Sequence, residues 1–140
     1  MTVLVIGASG RIGRQVCELA VAGGMDVRAM ARHRAEEPGL RELGATPVQA
    51  DLEGDFEEAV SGCDQVIFAA GSGPHTGTDR TLMVDLHGAV RAIELAEAQG
   101  VSRFVMLSAL RAADPLAAPE KLRPFMAAKY ATELLLTRSS

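Results

Sequence analysis

Three glycines near the N-terminus are the residues best placed to do chemistry. They lie in Gly7-Ala8-Ser9-Gly10-Arg11-Ile12-Gly13, between a four-residue apolar run and an amphipathic stretch. Glycine permits a tight turn, leaves the backbone amides open to an anion and lets a helix pack close to a sheet. Amides and the positive dipole end of the helix would then bind a phosphate. The alternative is a surface turn with incidental glycines, but the strand–turn–helix context favours a dinucleotide pyrophosphate site.

Two arginines stand where a dinucleotide-binding sheet usually has an acidic residue, about 20 residues past the glycines, for the ribose 2′-hydroxyl. The region has Arg32 and Arg34 and no carboxylate, and Arg11 could reach the same place. A guanidinium matches a phosphate through paired N–H donors. This predicts NADP(H) over NAD(H), with NAD(H) as the alternative. The competing interpretation is that Arg32 and Arg34 are solvated loop charges.

Two further segments are expected at the same crevice. Asp51 and Leu52 close the third predicted strand, and Asp51 is expected either to border the adenine or to cap a helix. The glycine-rich loop from Gly71 to Gly77 follows the fourth predicted strand.

Strands and helices alternate along the chain, which is typical of a parallel sheet covered by helices on both faces. We predict one domain over residues 1–140, an α/β doubly wound fold of five strands in the order 3-2-1-4-5. The ligand crevice should lie at the carboxyl ends of strands one and four. The predicted strands cover residues 3–6, 25–31, 46–50, 65–70 and 103–107, and the longest predicted helix covers residues 78–99.

Apolar spacing also predicts which helix faces are buried. Asp85, in the long helix, is expected on a solvated face, with a substrate-side role as the alternative. The predicted inward residues are Ile12, Val16, Leu19 and Ala20 in the first helix, and Leu82, Leu86, Ala89, Val90 and Ile93 in the long helix.

Composition excludes several classes of protein. The chain has 140 residues, a net charge of −4 and no lysine-rich stripe, which argues against a nucleic-acid partner. No apolar run reaches the ~18 residues of a membrane span, and no secretory leader precedes the first strand. Cys17 and Cys63 suggest no disulfide framework, and three scattered histidines suggest no metal site. A reduced cytoplasmic setting is therefore expected.

Taken together, these motifs resemble the short-chain dehydrogenase/reductase superfamily, and more narrowly its atypical NAD(P)H-binding group of NmrA-like regulators, flavin/biliverdin reductases and sugar epimerases. The order and spacing of the motifs carry the resemblance over essentially the whole chain. The matching segments are Gly7–Gly13, Val27–Arg32, Asp51-Leu52, Gly62–Gly71, Val84–Ala89 and Arg103–Ala109.

The resemblance implies roles for individual residues. Gly7, Gly10 and Gly13 would hold the pyrophosphate, and Arg32, with Arg11 and Arg34, the 2′-phosphate. Asp51 and Leu52 would flank the adenine, and Ala69, Ala70 and Gly71 would line the ribose–pyrophosphate path. Ser108 would orient a substrate oxygen, and Lys129 would bind the nicotinamide ribose.

The chain departs from that family pattern at the acid–base tyrosine. The tyrosine normally stands four residues before the lysine, but this position is Phe125. Tyr130 adjoins Lys129 and points about 100° away around a helix, so it is interpreted as a packing residue. His75, in the glycine-rich loop, is a candidate proton donor, although an exposed loop histidine is the simpler interpretation.

Length is the second departure, because family members continue into a sixth strand and a substrate-binding part. The fifth strand is then expected to be an open sheet edge, covered by a second copy of the chain or exposed in a shortened one.

Three functions follow from these expectations. The first is an NADP(H)-dependent oxidoreductase with a quinone- or flavin-like acceptor, whose reduction needs little acid assistance. The second is a non-catalytic redox sensor or partner-docking module. The third, sugar-nucleotide epimerase chemistry, is disfavoured by the absent tyrosine.

Overall fold

The computed structural model describes residues 1–71 and 77–139, and its centre is a five-stranded parallel sheet. The strand order is β3-β2-β1-β4-β5, which confirms the predicted doubly wound arrangement. The strands are β1 Thr2–Ile6, β2 Asp26–Ala31, β3 Thr46–Gln49, β4 Gln65–Phe68 and β5 Arg103–Met106.

Helices connect successive strands. Short 3₁₀ turns at Arg34–Glu36, Pro115–Ala117 and Glu120–Leu122 punctuate the connections. The helices are α1 Arg11–Ala22, α2 Glu37–Glu42, α3 Glu57–Val60, α4 Thr78–Arg80, a π-helical segment Thr81–Gly88, α5 Ala89–Ala98 and α6 Arg123–Thr137.

Apolar side chains of β1 supply both hydrophobic cores, because successive residues of a strand point to opposite faces of the sheet. Leu4 and Ile6 belong to a core that includes buried residues of α3 and α5. Val3 and Val5 belong to a second core with buried residues of α1 and α2. A continuous apolar run is what a central parallel strand covered on both sides requires.

The predicted inward face of α1 is partly wrong. Ile12 is 47% exposed and Leu19 is 74% exposed, whereas Gly13 and Cys17 are buried. Val16 and Ala20 pack against the core as expected. The helix is rotated so that Gly13 faces the Gly7 backbone, where a Cβ would clash, and the hydrophobic pattern does not predict that contact.

The long helix also departs from prediction, because Thr81–Gly88 is π-helical and not α-helical. Leu82 is 49% exposed, while Asp85 and Gly88 are buried. A Cβ atom on Gly88 would lie 3.2 Å from Leu52 Cδ1, so the missing side chain allows the helix to approach the loop after β3. Ala89 and Ile93 are buried as predicted.

The edge of the sheet at β5 is only partly covered. Phe104 and Met106 pack against the core, whereas Val105 is 46% exposed and Leu107 is 40% exposed. That a second copy of the chain covers this edge stays a prediction.

Neither cysteine is bonded in a disulfide, and both are buried. Burial raises the pKa of the Cys17 thiol to about 11. Among the helices of the described ranges, none combines the length and apolar character that crossing a bilayer requires.

Candidate nucleotide-binding site

A cavity of about 330 Å³ opens where β1, β2, β3 and β4 end. Its position confirms the crevice expected at the switch point of a doubly wound sheet. The lining residues are Ile6, Gly7, Ser9, Gly10, Met30, Arg32, Asp51, Leu52, Ala69, Ala70, Gly71, Arg80 and Val84.

The glycine turn has a different reason for each of its glycines. Gly7 has φ +85°, and a Cβ there would lie 2.6 Å from the carbonyl carbon of Ala69. A Cβ on Gly13 would lie 2.7 Å from the carbonyl carbon of Gly7. At Gly10 the nearest atom to a Cβ would be 3.4 Å away, so this glycine is not needed for packing. It lines the cavity, where a bare backbone serves a ligand.

Helix α1 begins at the floor of this cavity. Gly10 precedes the helix in an extended conformation, and its carbonyl accepts from the Arg14 amide at 2.9 Å. The amides of Arg11, Ile12 and Gly13 come before that first helical bond and have no acceptor within the helix. Free amides, a positive dipole end and an uncovered glycine fit a pyrophosphate.

The structure separates the three arginines that the sequence grouped together. Arg32 directly follows β2, lines the cavity and is exposed. Within residues 1–71 and 77–139 its guanidinium has no ion-pair or hydrogen-bond partner. Arg34 begins a 3₁₀ turn, Arg11 begins α1, and neither lines the cavity.

The loop after β3 forms another wall. Asp51 lines the cavity, and its Oδ1 accepts from the Glu53 amide at 3.0 Å, so it closes a turn and not a helix N-terminus. Arg91 of α5 donates to the Leu52 carbonyl at 2.9 Å and stacks on the Phe56 ring, 4.9 Å from its centroid. Helix α5 therefore holds this loop in place.

Sequence reasoning did not identify four lining residues: Ile6, Met30, Arg80 and Val84. Arg80 Nη1 donates to both carboxylate oxygens of Glu53 at 2.9 Å. Arg80 and Val84 are four residues apart, which places them on one face of a helix. The four-residue spacing can be seen in the sequence, but the sequence does not show that this face of the helix points toward the cavity.

Two buried charged residues, Lys129 and Asp85, lie beside the cavity. Lys129 is 3% exposed and Asp85 is 0% exposed, so the predicted solvated position of Asp85 is wrong. Burial lowers the pKa of Lys129, while the negative charges of Asp85 and Glu133 oppose that shift. Helix α6, which carries Lys129, packs on the π-helical segment that carries Asp85, so both side chains are buried between these elements and the sheet.

Contacts of Lys129 place it at the ends of β4 and β5. Its Nζ donates to the Leu107 carbonyl at 3.1 Å and lies 5.6 Å from the centroid of the Phe68 ring. The Phe125 ring centroid is 5.9 Å from the same Nζ, so an apolar ring stands where a tyrosine was expected. Tyr130, one residue further along α6, is half-buried.

Ser108 and Gly71 are the other two residues of interest in this region. The Ser108 hydroxyl is buried and meets no hydrogen-bond partner in the described part of the chain. A Cβ on Gly71, which lines the cavity, would lie 3.3 Å from Asp85 Oδ1. Asp85 therefore lies behind the Gly71 wall of the cavity, and Ser108, Lys129 and Asp85 do not line it. His75 lies outside the described residues.

Comparison with known proteins identifies this arrangement. Residues 7–140 match the family model described as NAD(P)H-binding. The chain belongs to the NAD(P)H-binding family. It is 43% identical over 143 residues to YhfK of Bacillus subtilis, which is named an uncharacterized sugar epimerase. That match covers 99% of this chain and 67% of YhfK.

Two solved structures show the same fold. A Bacillus halodurans protein, provisionally described as an NAD-dependent epimerase/dehydratase, has 43% identity and a TM-score of 0.96 over 100% of this chain and 66% of that chain. A short-chain dehydrogenase/reductase superfamily protein from Agrobacterium tumefaciens, solved with bound NAD, has 27% identity and a TM-score of 0.75. That match covers 97% of this chain and 44% of the Agrobacterium tumefaciens chain. The chain thus spans two thirds or less of these solved proteins.

Proposed function

We propose that this chain binds NADP(H) and serves a hydride transfer to a small quinone- or flavin-like acceptor. The observation that carries the cofactor preference is Arg32, a cation with no partner among residues 1–71 and 77–139, at the end of β2 on the wall of the nucleotide cavity. A 2′-phosphate carries about two negative charges and suits such a guanidinium.

Each wall of the cavity takes one part of the cofactor in this proposal. The glycine turn and the first amides of α1 hold the pyrophosphate, and Arg32 holds the 2′-phosphate. The proposed residues beyond these are Asp51 and Leu52 for the adenine, Ala69, Ala70 and Gly71 for the ribose–pyrophosphate path, Lys129 for the nicotinamide ribose and Ser108 for a substrate oxygen.

The Arg32→Glu substitution should reverse the cofactor preference. Loss of charge-assisted hydrogen bonds is expected to weaken NADPH binding about ten- to hundredfold, because such bonds contribute about 1.5–3 kcal/mol. NADH affinity should hold or improve, since a carboxylate at this place accepts from the 2′-hydroxyl. Calorimetric titration of both nucleotides measures the change.

Arg34→Glu is the matched control, because Arg34 is also an exposed arginine near the end of β2 but does not line the cavity. It makes the same charge change two positions along the chain. Equal losses of NADPH affinity in the two variants would show a general charge effect and contradict a specific 2′-phosphate contact.

The proposed acceptor class follows from the residues around Lys129. When bound, the nicotinamide supplies or takes a hydride, and the protein positions it. Phe125 has no proton to donate, and Lys129 is held by the Leu107 carbonyl in an apolar setting. Quinones and flavins need little acid assistance at the moment of hydride transfer, so they fit this site better than simple ketones.

Restoring the hydroxyl should widen the acceptor range. Phe125→Tyr is expected to raise the rate of NADPH oxidation with aldehydes or ketones about a hundredfold, the lower end of general acid catalysis. Phe125→Leu is the control for altered packing, and turnover with a quinone should change little in either variant. A tyrosine variant no faster on carbonyls than the leucine variant would refute this assignment.

A non-catalytic sensor or docking module is the second candidate, and Phe125 is also the observation that favours it. NADPH binding without turnover across a panel of quinones, flavins and carbonyls would support this function. Epimerase chemistry, suggested by the name of YhfK, is a third candidate, but Phe125 removes the residue on which that reaction depends in the family the sequence resembles.

A further inference from the structure

An ion pair closes one side of the nucleotide cavity. Glu53 lies in the turn after β3, and Arg80 is the last residue of α4. The pair joins residues 27 positions apart in the chain, with both oxygens of Glu53 at 2.9 Å from Arg80 Nη1. It therefore connects two separate walls of the same cavity.

Both walls are held firmly behind the pair. On the Glu53 side, the Glu53 amide donates to Asp51 Oδ1 at 3.0 Å, and the Leu52 carbonyl is held by Arg91 at 2.9 Å. On the Arg80 side, the helix lies against Leu52 through Gly88. Because these contacts already fix the backbone on both sides, forming the ion pair orders only the two side chains.

The position of the pair relative to the strand order indicates which part of a dinucleotide it would face. The glycine turn follows β1 and Arg32 follows β2, whereas Asp51, Leu52 and Glu53 follow β3, the outermost strand on that side. Moving outward from the pyrophosphate, the ribose comes first and the base second. A dinucleotide with its pyrophosphate at the glycine turn and its ribose at Arg32 would therefore have its adenine nearest to Arg80 and Glu53.

Resting on the proposed function, we propose that Arg80, held by Glu53, is the outer wall of the adenine pocket and packs its guanidinium plane on the purine. Arg80 lines the cavity, and its Nε and Nη2 have no partner in the described part of the chain. A guanidinium stacks well on an aromatic face. Glu53 offsets its charge, so this wall discriminates little between NADPH and NADH.

The test compares Arg80→Ala and Glu53→Gln with the parent by calorimetric titration of NADPH, NADH and reduced nicotinamide mononucleotide, which has no adenosine. Arg80→Ala should weaken both dinucleotides by a similar factor of about five- to thirtyfold, the range between an exposed and a desolvated cation–π contact. Glu53→Gln should weaken both by less. The mononucleotide should bind all three proteins alike.

Arg34→Ala serves as the control for removing an exposed arginine outside the cavity, and a thermal melt of each variant checks folding. Unchanged dinucleotide affinity in Arg80→Ala would overturn the proposed wall and leave the proposed function standing. A selective gain in NADPH affinity in Glu53→Gln would make Arg80 a phosphate ligand and also overturn it. A parent protein that binds neither dinucleotide would overturn the proposed function itself, and the wall with it.

Discussion

Gly13→Ala is expected to disrupt the glycine turn and abolish nucleotide binding. The added methyl group would lie 2.7 Å from the carbonyl carbon of Gly7 and 2.9 Å from the Cα of Ala8, and backbone atoms cannot rotate away as a side chain can. Forcing atoms into a packed interior costs about 1–3 kcal/mol and occasionally more. Helix α1 would have to move from the sheet, which would take its free amides from the pyrophosphate.

Gly10→Ala is the matched comparison. Here the methyl group would meet only the Gly7 carbonyl oxygen at 3.4 Å, and φ is −73°, which alanine adopts freely. Gly10→Ala should therefore keep the parent's urea-unfolding midpoint but bind NADPH at least tenfold more weakly, because the methyl group covers the cavity floor. The interpretation of the turn would be wrong if Gly13→Ala unfolded at the same urea concentration as Gly10→Ala.

Asp85→Asn is expected to destabilise the fold by about 1–3 kcal/mol, because it removes a buried negative charge that offsets the burial of the Lys129 ammonium. Lys129 keeps its bond to the Leu107 carbonyl but loses the buried negative charge that favours its protonated form. Lys129→Met should also be costly, since it removes the Nζ bond to the Leu107 carbonyl and a positive charge near the buried Asp85. Urea unfolding at neutral pH measures the free energy of unfolding for each variant.

The double variant Asp85→Asn with Lys129→Met tests whether the two groups act together. It should be less destabilised than the sum of the single variants, because the charge interaction between the two groups is lost only once. Additive losses would mean that Asp85 and Lys129 contribute separately, through other neighbours.

The same lysine gives a pH dependence with a definite sign. Burial lowers the pKa of Lys129 from its ordinary 10.5, so the unfolded chain binds this proton more tightly than the folded chain. Below the folded-state pKa, Lys129 is protonated in both the folded and the unfolded chain, so the free-energy cost of burying its charge is fully present. The contribution of Lys129 to stability therefore rises with pH from the folded-state pKa up to 10.5. The free energy of unfolding of the parent relative to Lys129→Met should rise in that pH window. Cys17 is present in both proteins, so its contribution cancels in the comparison.

The amino-acid sequence alone was enough to predict the sheet and the glycine turn. Val3-Leu4-Val5-Ile6 is apolar on both faces, which only a strand between two helical layers can bury. Glycines at positions 7, 10 and 13, directly after that strand and before a helix, have the spacing of a pyrophosphate-binding turn. Strand order followed from alternation and from the handedness of crossovers, since both are general rules for parallel sheets.

Most of the cavity wall was also predictable, because carboxyl ends of adjacent parallel strands meet at one edge of the sheet. Arg32, Asp51, Ala69 and Gly71 were identified in this way, each directly after a predicted strand or at its end. Their individual contacts with a cofactor stay proposals, and so does the role of Ser108.

Only the tertiary structure decided which way each helix faces. Leu19 and Leu82 looked like core residues and are exposed, while Asp85 looked solvated and is buried. The rotation of a helix about its axis depends on close contacts with distant parts of the chain, such as Gly88 against Leu52. Local periodicity does not contain those contacts, so the burial of Asp85 and Lys129 and the Arg80–Glu53 ion pair are decided only by the folded chain.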